Sequence, residues 1–369
     1  MEMLKVTSYE VLGKLPELMK LENGKKVENA DDWKARRAEI YKSAVELQYG
    51  TMPPAPEFLE VETLYVSKGS NAYRITTGPK SCPVTFRMQL FHPDTEKYPV
   101  IVDGDGCFAY FTHNDYISTA TSKGIAWAYF DRTELAHDIR GEGRRQGQLY
   151  RTYPEYTFGA LGAWAWGYSR CVDALLSLGL VDPEMIVFSG HSRGGKTAML
   201  AGVLDERAAI VNPNETNAGS CSCYRIHMTA LNEKGEDKKS ETLKDIIARF
   251  GFWFGEGMAD YVDCEEKLPF DCHFLKAMVA PRTLFISEAV HDIWGNPIGS
   301  WQTSLAAKPA FELLGAPDNL YWYFRDGAHR HDVEDVRMLV NLIEHKWFGK
   351  PLNENFFRRP FEETKLIFD

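Results

Sequence analysis

Met185-Ile186-Val187-Phe188-Ser189-Gly190-His191-Ser192-Arg193-Gly194-Gly195-Lys196 runs from an apolar, β-branched segment through a G-x-S-x-G pentapeptide into residues 197–204, which carry a helical pattern. Strand, tight turn and helix in that order are the context in which such a pentapeptide presents its serine for attack. Gly190 and Gly194 supply the room the turn needs, and Ser192 is held out at the top of a sheet. The amide of Arg193 falls at the helix N-terminus, where unpaired donors and the positive end of the dipole stabilise a developing oxyanion. Ser192 is therefore the candidate nucleophile.

Outward from this stretch, residues 100–102, 125–130, 208–211 and 283–287 repeat the short, apolar pattern of 185–189. Helical segments such as 161–178 separate them, which predicts buried parallel strands with crossover helices. Residues 59–66, 72–77 and 83–91 alternate apolar and polar side chains instead, as an antiparallel meander at a sheet edge does. The expected fold is α/β: an α/β-hydrolase fold with a mostly parallel central sheet flanked by helices and antiparallel strands at the N-terminal edge. Its site then lies beyond the C-terminal ends of the strands. Before the meander, residues 31–47 predict an amphipathic helix capped by Asn29 and ended by Gly50 and Pro53-Pro54. The division expected is an N-terminal helical extension, 1–55, on a single catalytic domain, 56–369; the charge run 233–239 reads as a solvated loop.

The 369 residues are 44% hydrophobic and 25% charged, the balance of a chain with a large core. A net charge of -10 disfavours nucleic acid or an anionic membrane as partner, which leaves a small-molecule or oligosaccharide ester as the expected one. No apolar run is long enough to predict a membrane span. The first twelve residues lack the apolar core of an export signal, and the seven cysteines form no disulfide framework, so a reducing cytoplasm is expected. Cys221 and Cys223 have no answering Cys/His pair, and neither a metal nor a cofactor is expected.

In this fold the acid and the histidine follow the nucleophile in the chain. His329, in the Asp326-Gly327-Ala328-His329 loop after the apolar run 320–324, is the candidate base, with His331 the alternative. His273 and His345, in apolar helical surroundings, read as structural. The acid must orient the imidazole through its second nitrogen. Glu215 and Asp292, each just after a predicted strand, both qualify, and Glu288 is a weaker third. An acetyl esterase or peptidase-like acyl hydrolase satisfies the same residues, and a silent binding protein would have no use for the strained turn.

Several motifs together resemble the glucuronoyl esterases, carbohydrate esterase family fifteen. Gly190, Ser192, Arg193, Gly195 and Lys196 match the family's G-x-S-R-x-G-K signature. Residues 163–170 are similar to its A-W-A-W-G-x-S-R run, Leu268-Pro269-Phe270-Asp271-Cys272-His273 and Ala280-Pro281-Arg282 to its L-P-F-D-x-H and A-P-R segments, and residues 292–297 to its D-x-W-x-x-P. Asp32-Trp33, Arg36-Arg37 and Tyr49-Gly50 look like its N-terminal pattern. The resemblance implies a uronate-ester hydrolase with Ser192, His329 and Glu215 as triad. It also implies Arg193 at the oxyanion, Lys196 and Glu241 on sugar hydroxyls, and Trp294 on the sugar ring. Lys196, one helical turn beyond Ser192, can face the same cavity.

Overall fold

The computed structural model describes residues 3–368 apart from 96, 112–113, 353–355 and 363. Its strands are β1 (Val6–Val11), β2 (Phe58–Ser67), β3 (Ser70–Gly78), β4 (Val84–Phe91), β5 (Tyr98–Asp103), β6 (Ala126–Phe130), β7 (Val181–His191), β8 (Ala208–Asn214), β9 (Ile226–Leu231), β10 (Asp237–Lys239), β11 (Thr283–Ala289) and β12 (Leu320–Arg325). Nine of them form one sheet in the order β12-β11-β8-β7-β5-β6-β4-β3-β2. From β12 to β6 every neighbour is parallel; β4, β3 and β2 add antiparallel pairs at the edge. This is the predicted α/β-hydrolase arrangement.

Period-two alternation inside the uniformly buried strands explains why both faces are covered. Val100, Val102, Ala126, Ala128, Ile186, Phe188, Leu284 and Ile286 join one core with the helix Ala160–Ser177. The residues between them, Ile101, Trp127, Val187 and Phe285, join the other core with the helix Val333–Phe348. By contrast β4 buries only alternate residues, so its other face meets solvent. The strand order puts the ends of β7, β8 and β11 side by side, and hydrogen bonds cross them: Ser189 to Asn212, and Asn212 and Asn214 to Ser287. The floor of the site is thus buried and polar but satisfied, which favours one fixed arrangement.

The predicted N-terminal helix is present as Ala30–Ile40, continued by a π-helical stretch, Tyr41–Glu46, and Leu47–Tyr49. The Asn29 side chain accepts from Asp32 N as its cap. Two expectations need correction. Residues 1–55 are not wholly helical, because β1 pairs antiparallel with β9; nor is 233–239 all loop, because β10 pairs with β9 on its other edge. That second, three-stranded sheet shares an apolar cluster with Val290 and Ile293, in the loop after β11. Among the described residues no helix is long and apolar enough to cross a membrane.

Candidate active site

Ser192 sits between β7 and the helix Arg193–Leu204 at φ 57° and ψ -115°. This is a conformation that costs a non-glycine residue roughly 1–3 kcal/mol and persists only where the surroundings impose it. Here Ser192 N donates to Asn214 O at 2.8 Å and Lys196 N to Ser192 O at 2.9 Å. The flanking glycines are required by close approach: a Cβ on Gly190 would lie 2.5 Å from Gly194 O, and one on Gly194 would lie 2.3 Å from both carboxylate oxygens of Asp105.

Ser192 Oγ is 3.1 Å from His329 Nε2. His331, the alternative base, stacks instead on the ring of His191 at 5.3 Å and meets Tyr116 at a tilt. His273 and His345 lie elsewhere, their ring nitrogens against the carbonyls of Pro16 and Lys350. The acid is not a single residue in space. His329 Nδ1 is 2.7 Å from Asp292 Oδ2 and 3.2 Å from Glu215 Oε2. Glu215 also holds Arg325 and accepts from Arg330 N at 2.8 Å, whereas Asp292 accepts from Gly295 N at 3.1 Å. Glu288, the third candidate, is buried beside Lys276 and Ser300.

Burial opposes a charge on His329, but its hydrogen bonds to Asp292 and Glu215 outweigh it and raise its pKa above the usual histidine value. Burial pushes Glu215 up to about 7, with the His329 hydrogen bond and Arg325 acting against it. His191, against the same imidazole, is forced well below the usual value by burial and by the neighbouring His331 and His329, so its ring is neutral at pH 7. His191, Glu215 and His329 bring ligand atoms within 4.8 Å of one another, a spacing that a metal ion would tolerate. The Arg325 guanidinium already bonded to Glu215 makes that corner a poor host for a cation.

Arg193 reaches Asp138 at 2.9 Å and lies over the rings of Trp253 and Phe250 at 5.0 and 5.2 Å. Lys196 is only 3% exposed, donates to Thr216 O, and has its pKa lowered by burial with Glu241 opposing the shift. Burial pushes Glu241 up to about 7, and its Oε2 has no hydrogen-bond partner. Trp294 is half-buried: its carbonyl accepts from Glu241 N at 3.0 Å, and Arg249 lies over its ring. Glu241 thus joins Lys196 to Trp294 beside the nucleophile, with its buried Oε2 left open.

Sequence reasoning missed the support beneath these groups. Asp105 accepts from His191 N at 2.8 Å and pairs with fully buried Arg132; Tyr168 binds Gly104 N and Ser189 O. Asp105 had a legible signal, a carboxylate between two glycines at a strand's C-terminal end. Asp138 and Arg325 had none.

Comparison with known proteins gives the same answer from another direction. The family model described as glucuronyl esterase, fungi, matches residues 74–315. The 4-O-methyl-glucuronoyl methylesterase of Hypocrea jecorina is 32% identical over 360 residues, 95% of this chain and 74% of that one. That of Podospora anserina is 32% identical over 314 residues, and the match takes in 84% of this chain but only 62% of the longer relative. The carbohydrate esterase family 15 glucuronoyl esterase from Caldicellulosiruptor kristjansonii superposes with a TM-score of 0.84 at 27% identity, covering 97% of this chain and 96% of that one. With a family model that spans most of the chain and a relative 32% identical over 95% of it, the chain belongs to the glucuronoyl esterase family, carbohydrate esterase family 15.

Proposed function

We propose that the protein hydrolyses an ester formed by the carboxyl group of a glucuronic acid unit. The observation that carries this reading is the line Ser192–His329–Asp292/Glu215 with the Lys196, Glu241 and Trp294 group beside it. His329 Nε2 takes the hydroxyl proton as Ser192 Oγ bonds to the carbonyl carbon. Negative charge that moves onto the carbonyl oxygen is met by the Arg193 amide and guanidinium. Collapse expels the alcohol, which receives the proton from His329, and a water molecule repeats the sequence to free the uronate and restore Ser192. Asp292 and Glu215 share the Nδ1 proton, hold the imidazole in the productive tautomer and stabilise its cation. Lys196 has three donors and gives one to Thr216, so the others serve sugar hydroxyls; Glu241 Oε2 accepts from another hydroxyl, and Trp294 offers an apolar face to the ring.

A simple acetyl esterase has no use for that second group, and the test separates the two activities. Benzyl glucuronate should be cleaved with kcat/KM at least about a hundredfold above that for an aryl acetate, and Lys196→Ala should cost the glucuronate ester about 1.5–3 kcal/mol while sparing the acetate. A wild type that prefers the acetate rejects uronate recognition. For location, all seven cysteines are unpaired, which supports work in a reducing cytoplasm, on oligosaccharide fragments already taken up. Recovery of the activity outside intact cells would reject that location.

A further inference from the structure

Four charged side chains of alternating sign run from beneath the nucleophile to its open side. Asp105 accepts the His191 amide at 2.8 Å and occupies the space that Gly194 leaves for it. Its other oxygen meets Arg132, which is fully buried between the rings of Phe108 and Trp164 at 5.2 and 5.1 Å. Arg132 faces Asp138 at 3.8 Å, and Asp138 holds Arg193 at 2.9 Å. Asp138 is itself only 6% exposed, and its second oxygen accepts from Trp253 Nε1 at 3.0 Å. Trp253 in turn lies under the Arg193 guanidinium and meets Trp164 edge-on at 6.1 Å. A long arginine left in solvent would sample many rotamers; this one is held by a buried carboxylate, itself bonded through both oxygens, and by a ring below it.

We infer that Asp138 is a positioning residue, which fixes the Arg193 guanidinium where negative charge develops and ties it through Arg132 and Asp105 to the turn that carries Ser192. The inference rests on the reading that Arg193 serves the oxyanion. A donor aimed before the reaction begins needs no reorganisation at the moment of charge transfer, so its benefit appears in the transition state and not in ground-state binding. Asp138 bonds Arg193, Arg132 and Trp253, so on this inference it acts through Arg193 and not on the substrate.

A double-mutant cycle on benzyl glucuronate tests this. Asp138→Asn keeps the size of the side chain and an acceptor for Trp253. It should lower kcat by about ten- to a hundredfold, a fraction of the roughly hundred- to thousandfold loss typical when an oxyanion donor is removed, with KM within about twofold. In an Arg193→Ala background the same change should alter kcat by less than about twofold. An undiminished loss in that background, or a loss confined to KM, overturns the positioning role. If Arg193→Ala alone leaves kcat intact, the oxyanion reading of Arg193 is what fails, and the inference falls with it. Should Asp138→Asn not fold, Asp138→Glu, which keeps the charge and displaces it by one methylene, goes through the same cycle with the same criteria.

Discussion

Two carboxylates on one imidazole nitrogen make the base stronger than a single one would. Asp292 has the shorter contact, 2.7 Å against 3.2 Å, and Glu215 is also engaged by Arg325 and the Arg330 amide, so Asp292 is expected to carry the larger share. Either alone still orients Nδ1, and effects within such a unit are not additive. Asp292→Asn should therefore lower kcat by about ten- to a hundredfold, Glu215→Gln by less, and the double variant by more than about a thousandfold, approaching loss of a triad member. The pH profile gives an independent reading. His329 must be neutral to accept the Ser192 proton, and its pKa is raised in the native protein, so the acid limb of kcat/KM lies above the usual histidine value near 6.5. Removing one carboxylate lowers that pKa, and the limb should move toward lower pH in both single variants. A limb that stays in place in Glu215→Gln would mean that Asp292 alone sets the basicity.

At the scale of elements, the elbow works because a strand, a helix and the loop after β5 meet within contact distance. Gly194 illustrates how little room is left: alanine is the better helix former by about 1 kcal/mol, yet its Cβ would fall on the Asp105 carboxylate, which the His191 amide and Arg132 hold in place. Gly194→Ala should lower the melting temperature by the equivalent of about 1–3 kcal/mol and slow labelling of Ser192 by a fluorophosphonate; wild-type melting and labelling would show that Asp105 is free to yield. This element was legible in the sequence because its parts are contiguous, as were the buried strands and the capped helix after Asn29. The histidine followed from chain order. The acid did not, because Glu215 and Asp292 end different strands and only their spacing across the sheet shows that both reach Nδ1. Asp138 was invisible for the same reason: its partners Arg193 and Trp253 are far from it in sequence. β1 and β10 escaped because their side chains are largely exposed and carry little apolar periodicity, so pairing with β9, and not pattern, makes them strands.

Over the whole molecule, the two ends of the chain close on the site from behind. Leu4, just before β1, is 3% exposed, and its amide donates to Pro360 O at 2.8 Å. It shares an apolar cluster with Met228 of β9, with Phe361 near the C-terminus, and with Val290 and Ile293, which bracket Asp292. The backbone of that bracket is bonded to neighbouring loops, Val290 N to Arg325 O and His291 N to Gly327 O, so it has few ways to move except as a unit with the His329 loop. Leu4 and β1 thus pack with the loop that carries Asp292, across the boundary expected near residue 55. Leu4→Ala opens a cavity in the apolar cluster that Val290 and Ile293 share and should cost about 2–4 kcal/mol of stability. Because a shift of well under 1 Å in a supporting residue is enough to weaken a positioned group, kcat should also fall, by about three- to tenfold at a temperature where the variant is fully folded, with KM unchanged. Substituting alanine for a buried leucine remote from this cluster, Leu175 in the helix Ala160–Ser177, should lower the melting temperature comparably without that change in kcat. Equal kcat in the two variants would mean that the Asp292 loop holds its geometry without the terminal segment.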